Sequence, residues 1–241
     1  MSTKSTYYLL LGNLKKMASP ARALTNARYF KTGKGQYGEG DRFLGVSVPT
    51  QRQIANRLAP SINPYQLSPI LQSEFHELRS IALFVMIKNY NSAITEKEKK
   101  IWIDCYLDHL SFVNNWDLVD ISAPKLLGSW LLHRNRKLLY HLARSNNLWE
   151  NRIAILSTLA FIRFNDVDDL LKLTKIFLKH PHDLIHKATG WMLREAWKRN
   201  PMIIEDFLSS YAVKMPGTML RYAIEKMAKS RQKEFLLLKN N

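Results

Sequence analysis

The 241-residue chain contains one cysteine, Cys105, which excludes an intramolecular disulfide and a cysteine-based zinc site. It lacks any run approaching the ~18 apolar residues that a membrane span requires. The short apolar run from Tyr7 to Leu11 lies between Lys4 and the Lys15-Lys16 pair without a small-residue cleavage site, so it is not read as a signal peptide. These absences suit a cytoplasmic protein with no membrane partner. No Pro/Ser tract, composition shift or low-complexity run marks a second domain, and residues 1–241 are read as one domain. No G-x-S-x-G, P-loop or H-E-x-x-H pattern is present. Acidic residues are the scarce charge: 20 Asp and Glu stand against 36 Lys and Arg, a formal net charge of +16. A surplus of that size must appear as a positive surface field, which suits a polyanionic partner.

What is abundant is apolar residues at helical spacing, with no sustained period-two alternation, so the class is all-α. Segments from about Leu78 to Tyr90, Lys97 to Leu110, Trp116 to Leu132, Trp149 to Phe164, Asp166 to Leu178, Asp183 to Arg199 and Ile203 to Tyr211 each predict a helix. Arg79, Trp116, Arg152, Lys187 and Arg221 each open a small or apolar helix, separated by 37, 36, 35 and 34 residues. That is the spacing of helix-pair repeats, whose stacked units form solenoids. Glycine concentrates in one place: five of the nine glycines lie between Gly33 and Gly45, so this segment is a loop or a hairpin. Within it, Gly33 to Gly38 matches G-x-G-x-x-G literally. It has neither the preceding strand nor the following helix of a dinucleotide site, and the match is accidental.

Three groups of residues could carry chemistry. On a helix from Asp183, Ile185, Ala188, Thr189, Met192 and Ala196 form an apolar stripe, and Lys187, Trp191, Arg194 and Lys198 fall on the opposite side. A tryptophan among cations suits a sugar or base beside phosphates; alternatively, Trp191 packs beneath a neighbouring helix and the cations are merely solvated. In "NNWDLVD", Trp116 and Asp120 are i and i+4 neighbours on a side that also carries Val119, Ala123 and Leu127. A carboxylate in apolar company is either a functional group or a structural one that caps a helix or pairs with a cation. His182 and His186 have the i, i+4 spacing of a helical metal pair, but no carboxylate or cysteine at ligand spacing completes it, and no metal is expected.

Five segments occur in order: "ARYFK" from Ala27, "FLGVSVP" from Phe43, "NNWDLVD" from Asn114, "LWENRIAIL" from Leu148 and "GWMLREAWKRNP" from Gly190. Together they resemble the HEAT-like-repeat DNA alkylation-repair family of the AlkD type over nearly the whole chain. The resemblance implies a curved α-solenoid of helical hairpins with a basic concave face, acting as a monomer on duplex DNA that contains alkylated purines. It implies hydrolysis of the N-glycosidic bond of cationic N3- or N7-alkylpurines without a metal or organic cofactor. It places the catalytic roles on Asp120, Trp116 and Trp191. DNA contacts would come from Arg152 to a phosphate, the aromatic Tyr29, the cations Lys187, Arg194 and Lys198, and Arg52 and Ser47 near the DNA path. Two departures from the family pattern stand out: the insertion from Gly33 to Gly40, and Ser47-Val48-Pro49 where the AlkD pattern has a Gln before its T-P pair. The other readings are a non-catalytic relative that binds bent, branched or damaged DNA, and a helical scaffold for an acidic protein.

Overall fold

The structure, a computed structural model, describes residues 3–240. It is all-helical, with no strand among the described residues; the one β-type contact is an isolated bridge between Arg42 and Phe75. The described chain groups into two compact units, Met1–Ser122 and Ala123–Asn241. No helix among the described residues is long and apolar enough to cross a membrane.

The first unit contains α1 (Thr3–Lys16), α2 (Pro20–Tyr29), α3 (Val48–Leu58), α4 (Pro64–Leu71), α5 (His76–Ser92), α6 (Glu96–Asp108) and α7 (Trp116–Ser122). Local chemistry starts most of these helices. Ser19 and Ser47 cap α2 and α3, each followed by proline in the first turn, where the missing N–H costs nothing. Asn63 with Gln66 and Thr95 with Glu98 form reciprocal capping boxes on α4 and α6. The central element is α5, which is buried almost all round: Leu78, Ile81, Ala82, Leu83, Val85 and Met86 have no access to solvent. A helix with no polar face must be enclosed by its neighbours, and α3, α4, α6 and α7 surround it.

The second unit contains α8 (Ser129–Leu131), α9 (Lys137–Ala143), α10 (Leu148–Ser157), α11 (Leu159–Ile162), α12 (Asp168–Phe177), α13 (Asp183–Trp197), α14 (Pro201–Tyr211), α15 (Gly217–Ile224) and α16 (Lys229–Asn240). α10, α13 and α15 start 35 and 34 residues apart. Arg152, Lys187 and Arg221, read from the sequence as repeat markers, each occupy the fifth position of one of these helices. α13 packs closely on α15, made possible by Gly190, where a Cβ would lie 2.4 Å from the Met219 carbonyl oxygen.

Two predicted helices are interrupted. The 116–132 segment changes to a π-helical turn over Pro124–Gly128, because Pro124 has no N–H to continue the α ladder, and Gly128 N–H donates to Ala123 O at 2.9 Å. The 149–164 segment breaks at Thr158, where the Ser157 and Thr158 hydroxyls donate to backbone carbonyls of the preceding turn. The Gly-rich segment closes as successive turns rather than as a hairpin: Gly33 N–H donates to Gln36 Oε1, Gly35 N–H to Glu39 Oε2 and Gly38 N–H to Lys31 O. Gly38 is required there, since a Cβ would lie 2.3 Å from Phe30 O.

Candidate functional site

In the first unit the site is organised around the start of α7. Asn115, fully buried, ends the preceding loop: its carbonyl accepts Val119 N–H at 3.1 Å and its side-chain oxygen accepts Trp116 N–H at 2.8 Å. Trp116 and Asp120 share the half-buried side of the helix, as their spacing predicts, but Val119, Ala123 and Leu127, expected on that side, are fully buried in the core with Leu118.

The Trp116 ring belongs to an aromatic column. Tyr29, 63% exposed, meets it edge-on at 5.7 Å. On its face lies Phe30, stacked at 5.2 Å with planes 19° apart; Phe30 stacks on Phe43 at 5.1 Å, and Phe43 on the imidazole of His76 at 4.6 Å. Offset and edge contacts of this kind are the preferred arrangements of aromatic quadrupoles.

Below the column is a cluster that the sequence reading did not identify. His76 Nδ1 lies 2.9 Å from Asp41 Oδ2 and Nε2 lies 2.8 Å from Asp117 Oδ2. A neutral imidazole has only one N–H, so two carboxylate partners call for the imidazolium. Burial alone would depress the His76 pKa, but the charges and hydrogen bonds of Asp117 and Asp41 outweigh it and raise it to about 9. Asp41 also pairs with Arg79 and accepts Asn115 Nδ2–H at 3.0 Å. Burial works against its ionisation, but the His76 hydrogen bond and the Arg79 charge hold it below the ordinary aspartate value. Two carboxylates and two cations thus balance in a nearly closed site, the condition under which buried charge is tolerated.

The Gly-rich loop delivers Asp41, through the bridge in which His76 N–H donates to Arg42 O at 2.8 Å. The adjoining strand-like segment is held by Glu77, whose buried carboxylate accepts the N–H groups of Leu44, Gly45 and Val46 at 2.7–3.3 Å. Gly45 has φ +79°, and a Cβ there would lie 2.2 Å from Ser19 O, so glycine is needed both for the turn and for the close approach. A cavity of about 350 Å³ opens beside this cluster, lined in part by Arg22, Asn26, Phe30, Phe43, Ser47 and Asp117. A signal for the cluster was present in the sequence: His76 and Arg79 are one helical turn apart, and Asp41 follows a glycine turn.

The remaining first-unit residues expected to contact DNA are placed less distinctively. Ser47 caps α3, accepting Thr50 N–H at 3.3 Å, and the exposed Arg52 lays its guanidinium over Phe84, 4.3 Å from the ring centre.

In the second unit, the apolar stripe of α13 is buried as read from the sequence, and Trp191 stands half-buried on the other side. That side is mixed in charge rather than purely basic. Lys187 pairs with Asp183 at 2.8 Å, Lys198 with Glu195 at 2.8 Å, and Arg194 with Glu225 and Glu195; Trp191 Nε1–H donates to Glu195 Oε1 at 3.2 Å. The face expected to be basic is thus balanced by acids within one turn, Asp183 beside Lys187 and Glu195 beside Arg194 and Lys198. Arg152 is only 5% exposed and donates to the Leu184 carbonyl at 2.6 Å, joining α10 to the first turn of α13.

The histidines at this end hold backbone. His182 caps α13, accepting Leu184 N–H on Nδ1 at 3.1 Å; His186 Nε2 bonds the His180 carbonyl, and His180 Nε2 bonds Asn151. No group of three or more His, Cys, Asp or Glu side chains among the described residues could hold a metal ion.

No curated protein matches the chain. Among solved structures it is similar to a chain described as a predicted DNA alkylation repair enzyme from Enterococcus faecalis, at 21% identity and a TM-score of 0.68, covering 88% of this chain and 97% of that one. That likeness is one of fold. The sequence model of the family described as DNA alkylation repair enzyme matches residues 10–227, nearly the full length, and the chain belongs to that family.

Proposed function

We propose that the protein is a DNA glycosylase that hydrolyses the N-glycosidic bond of cationic N3- or N7-alkylpurines in duplex DNA. Family membership supports a role in the repair of alkylated DNA. The observation that carries the finer reading is the pairing of Trp116 and Asp120 on one half-buried side of α7, with the indole braced from behind by Phe30.

The chemistry follows from these groups. An N3- or N7-alkylated purine is already cationic and leaves as a neutral base, so the departing group needs little general-acid help. What must be stabilised is the oxocarbenium ion left on the deoxyribose. The Asp120 carboxylate would offset that charge and orient a water for attack, while the indole face of Trp116 offers its negative quadrupole to the sugar. By the family pattern, Trp191 supplies a second sugar-facing ring and Arg152 holds a phosphate. Tyr29, Ser47, Arg52, Lys187, Arg194 and Lys198 complete the proposed DNA contacts. The chemistry requires no metal or organic cofactor, and one chain suffices for it.

The test is chromatography of bases released from methylated DNA by the wild type and by Asp120→Asn. The substitution keeps shape and one acceptor oxygen and removes the charge that matters as the sugar becomes cationic. Release should fall ~10²–10³-fold, with DNA affinity unchanged or slightly higher. DNA binding without base release by the wild type would make the protein a non-catalytic binder. Absence of DNA binding at low salt would leave the protein-scaffold reading.

A further inference from the structure

We propose that His76, clasped between Asp41 and Asp117, is a positioning residue that sets the Trp116 indole and the first turn of α7 for base excision; this rests on the glycosylase reading above. The His76 ring is buried beneath the aromatic column and does not line the half-buried side of α7 that carries Trp116 and Asp120. Its effect is transmitted through three linkages to α7.

The first runs through Asp117. His76 Nε2–H donates to Asp117 Oδ2 at 2.8 Å, and Asp117 Oδ1 accepts Leu118 N–H at 2.8 Å, so one carboxylate joins the imidazolium to an otherwise unpaired donor of the first helical turn. The second runs through Asp41. Its Oδ2 accepts both His76 Nδ1–H and Asn115 Nδ2–H, and Asn115 in turn receives Trp116 N–H on its side chain and Val119 N–H on its carbonyl. The third is the stack from His76 through Phe43 and Phe30 to Trp116, which fixes the plane of the indole rather than the path of the backbone.

An apolar side chain of equal volume could fill the space under Phe43. It could not donate in two opposite directions, and the two donations are what tie the Gly-rich loop, α5 and α7 to a common register. Trp116 is therefore constrained at its main chain and at its ring face by the same residue. Asp120 follows one turn later on the same short helix, so a shift at Trp116 carries Asp120 with it. A displacement of about 1 Å in a catalytic group can lower the rate ~10²-fold without loss of binding.

The experiment uses the full chain labelled with 5-fluorotryptophan, the Trp116 resonance being assigned with Trp116→Phe. His76→Gln and Asp117→Asn are compared with wild type by fluorine NMR, by affinity for a methylated duplex, and by single-turnover base release. Asp117→Asn keeps one acceptor oxygen for Leu118 N–H and turns an NH2 group toward His76 Nε2, so it breaks the link to the imidazolium while sparing the helix turn and decides the matter if His76→Gln does not fold. The expected result is a displaced or broadened Trp116 resonance and release slowed by ~10–100-fold, with DNA affinity held within about twofold. An unchanged Trp116 resonance in the folded variants overturns the proposal, as does a loss of affinity that accounts for the whole loss of rate. A wild type that releases no base removes the glycosylase reading alone; the fluorine comparison then still decides whether His76 sets Trp116.

Discussion

Two tryptophans, one in each unit, are supported in opposite ways. Trp116 rests on a column of rings that ends on a buried imidazolium, and the charges beneath it are enclosed and matched. Trp191 stands among partly exposed ion pairs, with its ring N–H on Glu195, which also pairs with Lys198 and Arg194. Buried, multiply bonded charges give direction and resist exchange with water, whereas exposed pairs are worth ~0–1 kcal/mol and exchange readily. The first arrangement suits a group that must be held still. The second suits groups that must release one anion to take another, such as a phosphate.

Removing a buried anchor of the first unit should have the largest effect. Glu77 accepts three consecutive backbone N–H groups from the segment that carries Phe43 toward the column and Ser47 toward α3. Glu77→Gln would replace one acceptor oxygen with an NH2 group that opposes those donors. We expect a loss of about 2–4 kcal/mol in urea unfolding, since buried donors would be left without a partner. A loss under about 1 kcal/mol would show that the segment finds another support, and the distinction between the two regions would weaken.

The next effect is one of pH, and its sign differs between the buried histidine of the first unit and the two of the second. His76 has a folded pKa of about 9, above the ~6.5 of a free histidine. Its contribution is complete below pH ~6.5 and is lost as pH rises toward 9, by roughly 3 kcal/mol for the full shift. Asp41 acts oppositely: its depressed pKa gives stability that is lost on acidification. In the second unit, burial and the neighbouring His186 charge lower His180, and burial lowers His182 with a further contribution from His186. The lowered values favour the neutral rings in the fold, so their contribution is present above pH ~6.5 and fades below it. Stability followed by urea unfolding from pH 6.5 to 9 should fall steadily in the wild type and lose most of that slope in His76→Gln. Equal slopes would mean that the imidazolium is not what holds the first unit on the alkaline side.

Legibility in the sequence follows the same division. Helical periodicity found α5, α6, α12, α13 and α14, because each has a stripe or run of apolar residues long enough to define a period. It joined α7 to α8 and α10 to α11, since the breaks come from a proline and from side-chain hydroxyls that leave the apolar pattern intact. The shared side of Trp116 and Asp120 was legible because they lie four apart on one helix, whereas the catalytic roles proposed for them and for Trp191 rest on the family resemblance. The His76 cluster was not, because Asp41, His76 and Asp117 come from three separate segments and only the fold brings them within 3 Å. On α13 the positions of the cations were right, but their charge was overestimated. Glu225, which pairs with Arg194, comes from beyond the end of α15 and cannot be found from a single helix.

The smallest effect expected is also the one that bears on the exposed region most directly. Glu195 accepts from Trp191 and pairs with both Lys198 and Arg194. Glu195→Gln keeps an acceptor oxygen for the indole and removes the charge, so stability should change by no more than about 1 kcal/mol. If this face meets DNA, the substitution removes a carboxylate that repels phosphates and releases Lys198, while Arg194 keeps its pair with Glu225 but loses its contact with Glu195. Duplex affinity should then rise about three- to tenfold at low salt, and the dependence of log affinity on log salt should steepen by about one to two. The gain should disappear at high salt, where released counterions no longer favour binding. An affinity that falls, or a slope that stays the same, would place Lys198 and Arg194 away from the phosphates. Their ion pairs would then serve to fasten α13 rather than to exchange with DNA.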